Sequence, residues 1–256
     1  MIHPTAIIDS SAILGRDVTV GAYSIIGANV VIGDGCVIGP HVVIKGDTRI
    51  GAHNQFYQFS SIGEDCQDKK YQGEKTFLEI GDHNIFREFV TVHRGTVNDH
   101  SLTSIGNGGL FMNYSHIAHD CQIGDDVIVA NGSQLAGHVH VGKGAIVGGT
   151  CGVHQFCRIG DYAMLGGGTT LFKDVPAFVT VQGNPAAAHG MNYEGMKRRG
   201  YDKSVIHLLR NAYKLVYRQG ATLHDAVEEL QTWKDDSGEL QRFIDSIHNA
   251  TRGIVR

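Results

Sequence analysis

From Ile8 onward an apolar residue returns at every sixth position: Ile8, Leu14, Val20, Ile26, Ile32, Ile38, Ile44, Ile50, Phe56 and Ile62. The phase is found again at Ile80, Phe86 and Val92 and then slips by one residue. It runs on through Ile105, Phe111, Ile117, Ile123, Val129, Leu135, Val141, Val147, Val153, Ile159, Leu165 and Leu171. No polar residue interrupts the series. Glycine directly follows more than half of its members, as at Gly15, Gly21 and Gly33. The residue two places earlier is usually small, as at Ala6, Ser24, Cys36 and Cys121. A period of six matches neither the helical 3.6 nor the strand alternation of 2. It predicts a mainly-β fold, a parallel β-helix whose repeats become stable only when stacked. Each hexapeptide is one short strand and a corner, with the aliphatic inward and glycine tolerating the corner backbone. Three sides close a coil of 18 residues, and coils stack at roughly 4.8 Å. Residues 18 apart are then vertical neighbours.

Two stretches break the period, residues 63–79 and residues 94–104. Interruptions of a solenoid are loops thrown out from one face, and such loops often serve binding. The repeat ends near residue 185. In the stretch after it, Val205, Leu208, Leu209, Ala212 and Val216 share one helical face, with Asp202 a candidate N-cap and Gly220 a stop. Thr222 and Asp225 suggest a second helix start, and Leu240, Phe243, Ile244 and Ile247 a last helix. The predicted organisation is a β-helix over residues 1–189 and a helical domain over residues 190–256 that caps the open sheet edge.

The 18-residue rule also sorts the histidines. His119 stacks under Gly137 and Gln155, Asp120 under His138, and Ala118 under Ala136 and His154. His116 lies on the same strand as His119. Four histidines and a glutamine thus converge on one corner. An imidazole beside a bare glycine amide offers a base for a hydroxyl and a donor for an oxyanion, the two needs of acyl transfer. Two other readings compete. Some left-handed β-helix proteins bind zinc through three histidines and hydrate carbon dioxide, but with a wider spacing than this one. A non-catalytic ice-binding solenoid would present threonine ladders, which are absent.

Composition narrows the setting. The 34 glycines in 256 residues are nearly twice the usual ~7%. A net charge of −4 argues against a nucleic-acid partner. No apolar run is long enough to span a bilayer. The N-terminus lacks the basic start and apolar core of a signal peptide, which points to the cytoplasm. Five cysteines without a CxxC favour a reducing compartment. Cys36, Cys121, Cys151 and Cys157 occupy the small position of the repeat and read as core filler.

The segments "YQFSSIGEDCQDKKYQGE", "FVTVHRGT", "SHIAHDCQIG", "LAGHVHVG", "GVHQFCRIG", "DVPAFVTVQGN" and "NYEGMKRRG…RNAYKLVYRQG" resemble the acyl-carrier-protein–UDP-N-acetylglucosamine O-acyltransferases. That family takes the first step of lipid A synthesis, and the resemblance runs end to end. It implies a left-handed β-helix, a homotrimer with sites between subunits, and a 3-hydroxy fatty acyl group carried on phosphopantetheine of acyl carrier protein. No other cofactor and no metal is implied. His119 would be the general base, Asp120 its orienting partner and Gly137 the oxyanion donor. His138 would support the acyl-phosphopantetheine side. Gln67, Asp68, Lys70, His116, His154 and Gln155 would contact the sugar and its phosphates. Asn192, Glu194, Arg198 and Arg199 would bind the nucleotide end from a neighbouring subunit. Paired guanidiniums suit a diphosphate, and the basic residues of 191–220 suit an acidic carrier protein. A residue at the position of Gly167 measures acyl length in the family, small for longer chains. Pro185 stands where members often carry histidine near the end of the acyl channel. A nucleotide sugar with a different hydroxyl, or with a 3-amine, is the alternative acceptor.

Overall fold

A computed structural model describes all of residues 1–256. The repeat builds three parallel sheets of mostly two-residue strands. The first sheet has nine strands, from Ile7–Ile8 to Thr170–Leu171; the second has eight, from Ile13–Leu14 to Arg158–Ile159. The third starts at Thr19–Val20 and ends with Val179–Gln182 and Ala187–Met191, the last pair antiparallel. Register follows the 18-residue rule wherever no loop intervenes: Ile8 pairs with Ile26, and Ile117 with Leu135. The aliphatics of the series line the prism interior, where Phe56, Phe86 and Phe111 stack at 4.8 and 4.7 Å. The winding is left-handed, against the usual hand of crossovers between parallel strands. A corner of a few residues contains no crossover helix to impose the right hand.

The structure revises the reading of glycine at the corners. Gly21 and Gly33 do not have positive φ; a Cβ on either would lie 2.6 Å from a backbone carbonyl carbon of the next coil. Glycine is there because coils approach too closely for a side chain. Positive φ falls instead three residues after the aliphatic and is mostly carried by other residue types. Asp17, Tyr23, Asn29, His53, Asp120 and His138 have φ between 57° and 61°. That conformation costs roughly 1–2 kcal/mol per L-residue. Stacking of the side chains it projects offsets the cost: Tyr23, His41, Phe59, Phe89 and Tyr114 form one continuous column with ring separations of 4.8–5.2 Å.

The two interruptions are insertions at the same corner on successive coils. Eighteen residues separate Ile62 from Ile80, and thirteen separate Val92 from Ile105, where six is the normal step. The strand pairing closes over both, Ile62 with Val92 and Val92 with Ile117.

The expected boundary at residue 189 falls within the strand Ala187–Met191. Helices follow at Tyr193–Arg198 (α1), Lys203–Arg218 (α2), Leu223–Gln231 (α3) and Glu239–His248 (α4). Asp202 precedes α2 but its side chain makes no capping bond, whereas Thr222 Oγ1 accepts the Asp225 N–H at 3.2 Å. α1 has no apolar periodicity of its own and is not foreseen; the Asn192 side chain starts it by accepting the Gly195 N–H. The helices share one continuous hydrophobic cluster with the solenoid, from Val18 to Val255. Buried Asp174 joins the two, accepting N–H groups of Arg158, Thr251 and Arg252.

These corners make opposite forecasts for two substitutions. Gly33→Ala should lower the thermal midpoint, costing about 1–3 kcal/mol, because the methyl must push two coils apart. Asp126→Gly, at φ 57°, should be neutral within about 0.5 kcal/mol, since relief of the left-handed backbone is balanced by glycine's greater unfolded freedom. Calorimetry of both variants checks the assignment; equal destabilisation would contradict it.

Candidate active site

The histidines gather where the first sheet turns into the second. Along the outer face of the first sheet, Thr91, His116, Gln134, Gly152 and Thr170 stand in register, one per coil. Beside this column the corner carries His119, then Gly137, then Gln155. A Cβ on Gly137 would lie 2.6 Å from His119 Nε2, so only glycine leaves room for the ring. The Gly137 N–H has no partner within the chain. At the next corner, by contrast, the equivalent amides of Arg16, Ala52, Asp82, Asn107 and Lys143 donate to a side chain one coil on. The column and corner wall a groove of about 740 Å³.

His119 Nδ1 lies 2.9 Å from Asp120 Oδ2. The carboxylate can only accept, so Nδ1 is the donor, which in the neutral ring leaves the Nε2 lone pair beside Gly137. Asp120 is 2% exposed. Burial alone raises a carboxyl's pKa, but hydrogen bonds from His119 and Thr96 and the nearby His138 outweigh it and hold Asp120 below its ordinary value. His138 stands edge-on to His119, ring centroids 5.0 Å apart, and its Nδ1 lies 2.8 Å from Asp99 Oδ2. The corner thus holds two imidazole–carboxylate pairs on successive coils.

His119, Asp120 and His138 bring three potential ligand atoms within 4.8 Å of one another. The chain itself already engages them: Asp120 accepts from Thr96 and His119, and His138 Nδ1 faces Asp99. Each of the three thus already spends a ring nitrogen or a carboxylate oxygen on a hydrogen bond within the chain. The five thiols are buried; burial pushes Cys121 up to about 12 and Cys157 up to about 11, which leaves them protonated and unreactive.

The groove gathers most, not all, of the residues expected from the sequence. His116, His119, Gly137, His154, Gln155, Gln67 and Asp68 line it. Lys69 lines it where Lys70 was expected; the Lys70 backbone N–H instead caps Asp68 at 2.9 Å. His138 sits behind His119 rather than on the groove wall. Asn192, Glu194, Arg198 and Arg199 lie away from this groove, beside the second-to-third corner. Asn192 is buried, its amide holding Gly195 N–H and the Tyr162 carbonyl. Glu194 pairs with Lys197, and Arg199 stacks on Tyr162 and donates to the Gly144 carbonyl. Gly167 lies on the third-to-first corner, where a Cβ would meet only Gly149 O at 3.5 Å. Pro185 is exposed in the turn between the last two strands.

Five contributors escaped sequence reading: Thr91, His93, Thr96, Asp99 and Thr103. Thr91 and His93 precede the seven-residue insertion, so their offset to the site is 25 rather than 18, while Thr96 and Asp99 lie within it and Thr103 at its end. Thr91 Oγ1 lies 2.7 Å from His116 Nδ1 across 25 residues, and His93 packs edge-on to His116. A second recess of about 670 Å³ lies between the second sheet and α4. Its Arg242 is paired with Asp161 and Glu239, and its imidazole, His140, has Nδ1 3.3 Å from Arg158 Nη1.

His116 ties this electrostatics to stability. Burial, with His93 and His119 nearby, pushes it down to about 4, against ~6.5 for an unfolded histidine. Between these values the unfolded chain binds the extra proton, so stability falls as pH drops from about 6.5 toward 4. His116→Gln should flatten that part of the thermal-midpoint-versus-pH curve; an unchanged slope would place the acid sensitivity elsewhere.

Comparison with known proteins agrees with this geometry. A model described as UDP N-acetylglucosamine O-acyltransferase, domain 2, matches residues 174–255, and a bacterial transferase hexapeptide model matches residues 11–46 and 103–137. The acyl-[acyl-carrier-protein]–UDP-N-acetylglucosamine O-acyltransferase of Stutzerimonas stutzeri is 58% identical, over 100% of this chain and 99% of that protein. The LpxA structure from Acinetobacter baumannii is 52% identical with a TM-score of 0.97, covering 100% and 99% of the two chains. The UDP-N-acetylglucosamine acyltransferase structure from Campylobacter jejuni reaches 0.95 at 35% identity over the full length of both chains. With end-to-end identity, the same fold and a histidine–aspartate pair beside a bare glycine amide, the chain belongs to the acyl-[acyl-carrier-protein]–UDP-N-acetylglucosamine O-acyltransferase family.

Proposed function

We propose that this chain transfers a fatty acyl group from the thioester of acyl carrier protein to the 3-hydroxyl of UDP-N-acetylglucosamine. One observation carries the reading: the His119 imidazole, oriented by a buried Asp120, stands beside Gly137, whose N–H has no partner in the chain. His119 Nε2 takes the proton of the sugar hydroxyl as its oxygen attacks the thioester carbon. The Gly137 N–H donates to the oxyanion of the tetrahedral intermediate. When the carbon–sulfur bond breaks, the imidazolium returns the proton to the departing thiolate. Asp120 stabilises that imidazolium without taking its proton. The products are the 3-O-acyl sugar and the free carrier thiol. No step requires an enzyme nucleophile or a metal.

Gln67, Asp68, His116, His154 and Gln155 hold the sugar and its phosphates in the groove. The nucleotide end is bound by Asn192, Glu194, Arg198 and Arg199 of a second copy, since within one chain they lie at another corner. A trimer also accounts for the exposed aromatic column, in which Tyr23 is 61% and Tyr114 57% exposed. Such a contiguous apolar strip suits an interface. The basic residues of α1 and α2 suit the acidic carrier protein. No helix is long and apolar enough to cross a membrane, and a carrier-bound thioester with a nucleotide sugar as substrates suits a reaction in the cytoplasm. The open strip at Gly149, Gly167 and Gly168 gives the acyl chain a path along the coils and favours long donors.

His119→Ala should lower kcat about 10²–10⁴-fold with the nucleotide-sugar affinity nearly unchanged, and exhaustive chelation should leave the wild-type rate intact. A wild-type rate in His119→Ala, or loss of activity on chelation, would overturn the mechanism. Gly167→Met should move the preferred donor to a chain several carbons shorter, since each buried methylene contributes about 0.8 kcal/mol. A mass-spectrometric assay with carrier protein loaded with different chains reads this out, and an unchanged length profile would place the ruler elsewhere.

A further inference from the structure

The insertion at residues 94–104 was expected to serve binding. Two of its residues, Thr96 and Thr103, face Asp120, and Asp99 faces His138. Val92 stacks on Ile117, so the regular neighbour of Asp120 one coil below is Gly95, the point where the chain leaves the coil. It returns at the strand Leu102–Ile105. Thr96 and Thr103 stand at the two mouths of the loop, and both close on Asp120. The Thr96 N–H lies 2.9 and 3.1 Å from the two carboxylate oxygens, and Thr96 Oγ1 donates to Oδ2 at 2.7 Å. Thr103 Oγ1 accepts the Asp120 N–H at 2.8 Å. The Thr96 carbonyl meanwhile accepts the Asp99 and Ser101 N–H groups, which closes the loop on itself. Thr96 is 3% exposed.

We propose that Thr96 is a positioning residue for the acyl transfer: its hydroxyl fixes the Asp120 carboxylate in the orientation that holds His119. The inference rests on the reading of His119 as base. Asp120 follows His119 directly and sits at φ 59°, so its side chain has no regular strand or helix to aim it. Oδ2, the oxygen that receives His119 Nδ1, is also the one that receives the Thr96 hydroxyl. That shared oxygen makes the effect chemical as well as geometric. A donor on Oδ2 draws charge away from the imidazole contact, so Thr96 tunes how strongly the carboxylate stabilises the imidazolium.

The test uses the full-length enzyme with Thr96→Val and Thr96→Ser, and with His119→Ala assayed in parallel. Thr96→Val keeps the shape and the backbone N–H but lacks the hydroxyl. It should lower kcat about tenfold while the KM for the nucleotide sugar stays within about twofold. The acid limb of its kcat/KM profile should move to higher pH, because the freed carboxylate favours the charged imidazole. Thr96→Ser should restore both rate and profile. Should Thr96→Val not fold, Thr96→Ala carries the same expectation. Wild-type rate and profile in the hydroxyl-free variant, with His119→Ala inactive, would overturn the role of Thr96 and leave the base assignment standing. Equal impairment of the Val and Ser variants with an unmoved limb would overturn it too, by reducing Thr96 to packing. A wild-type rate in His119→Ala would overturn both readings.

Discussion

Everything in this molecule depends on the vertical hydrogen-bonded register between coils. Once Ile8 is paired with Ile26 and Ile117 with Leu135, each residue's neighbours above and below are fixed by arithmetic on the sequence. The register dictates where glycine is compulsory, because backbones approach within van der Waals limits at Gly21 and Gly33. It also dictates where a left-handed residue must stand, and it turns isolated side chains into columns. Stacking aromatic rings at close to the coil spacing offsets the backbone cost at those corners, and the register that requires the strain also supplies the relief.

The candidate site departs from this regularity in two ways. The first is a missing side chain. Only glycine at position 137 leaves room for the His119 ring, so an amide with no partner in the chain lies next to the imidazole. The second is extra chain. Two insertions on successive coils open the stack at the same corner. The longer one brings Gln67, Asp68 and Lys69 over the groove, and the shorter one places Thr96 and Asp99 against the two imidazole–carboxylate pairs. The buried Arg94 donates to Asp65, the Gly63 carbonyl and, at 3.2 Å, the Tyr71 hydroxyl. It ties the longer loop to the strand from which the shorter one departs.

How much of this the sequence discloses follows from the same arithmetic. Above the insertions the 18-residue rule holds, and it suffices to set His119 under Gly137 and Asp120 under His138. Across the longer insertion the offset becomes 30 and across the shorter 25, so Thr91 and His93 fall out of phase with the fixed period and Thr96 lies within the inserted chain. The slip of one residue between Val92 and Ile105 is the visible trace: treating it as a seven-residue insertion puts Thr91 beneath His116. That Lys69 rather than Lys70 lines the groove is set by the path of an aperiodic loop, which no pattern records. The glycines misled in a different way. Composition associates glycine with positive φ, but here close approach of coils selects it and αL is borne by Asp, His, Tyr and Phe.

The solenoid also explains how one groove can treat a polar acceptor and an apolar donor differently. Ascending the outer column of the first sheet, the side chains run from Thr91 and His116 through Gln134 to Gly152 and Thr170. Imidazoles and the loop carboxylate crowd the lower coils, while on the upper coils Gly149, Gly167 and Gly168 leave bare backbone at the adjoining corner. A globular pocket would need loops from several directions to build such a gradient. In a prism each coil adds one step, and the inward aliphatics are untouched by whatever faces out. His119 and Gly167 stand on separate coils and do not touch, so a substitution at one leaves the immediate surroundings of the other unchanged.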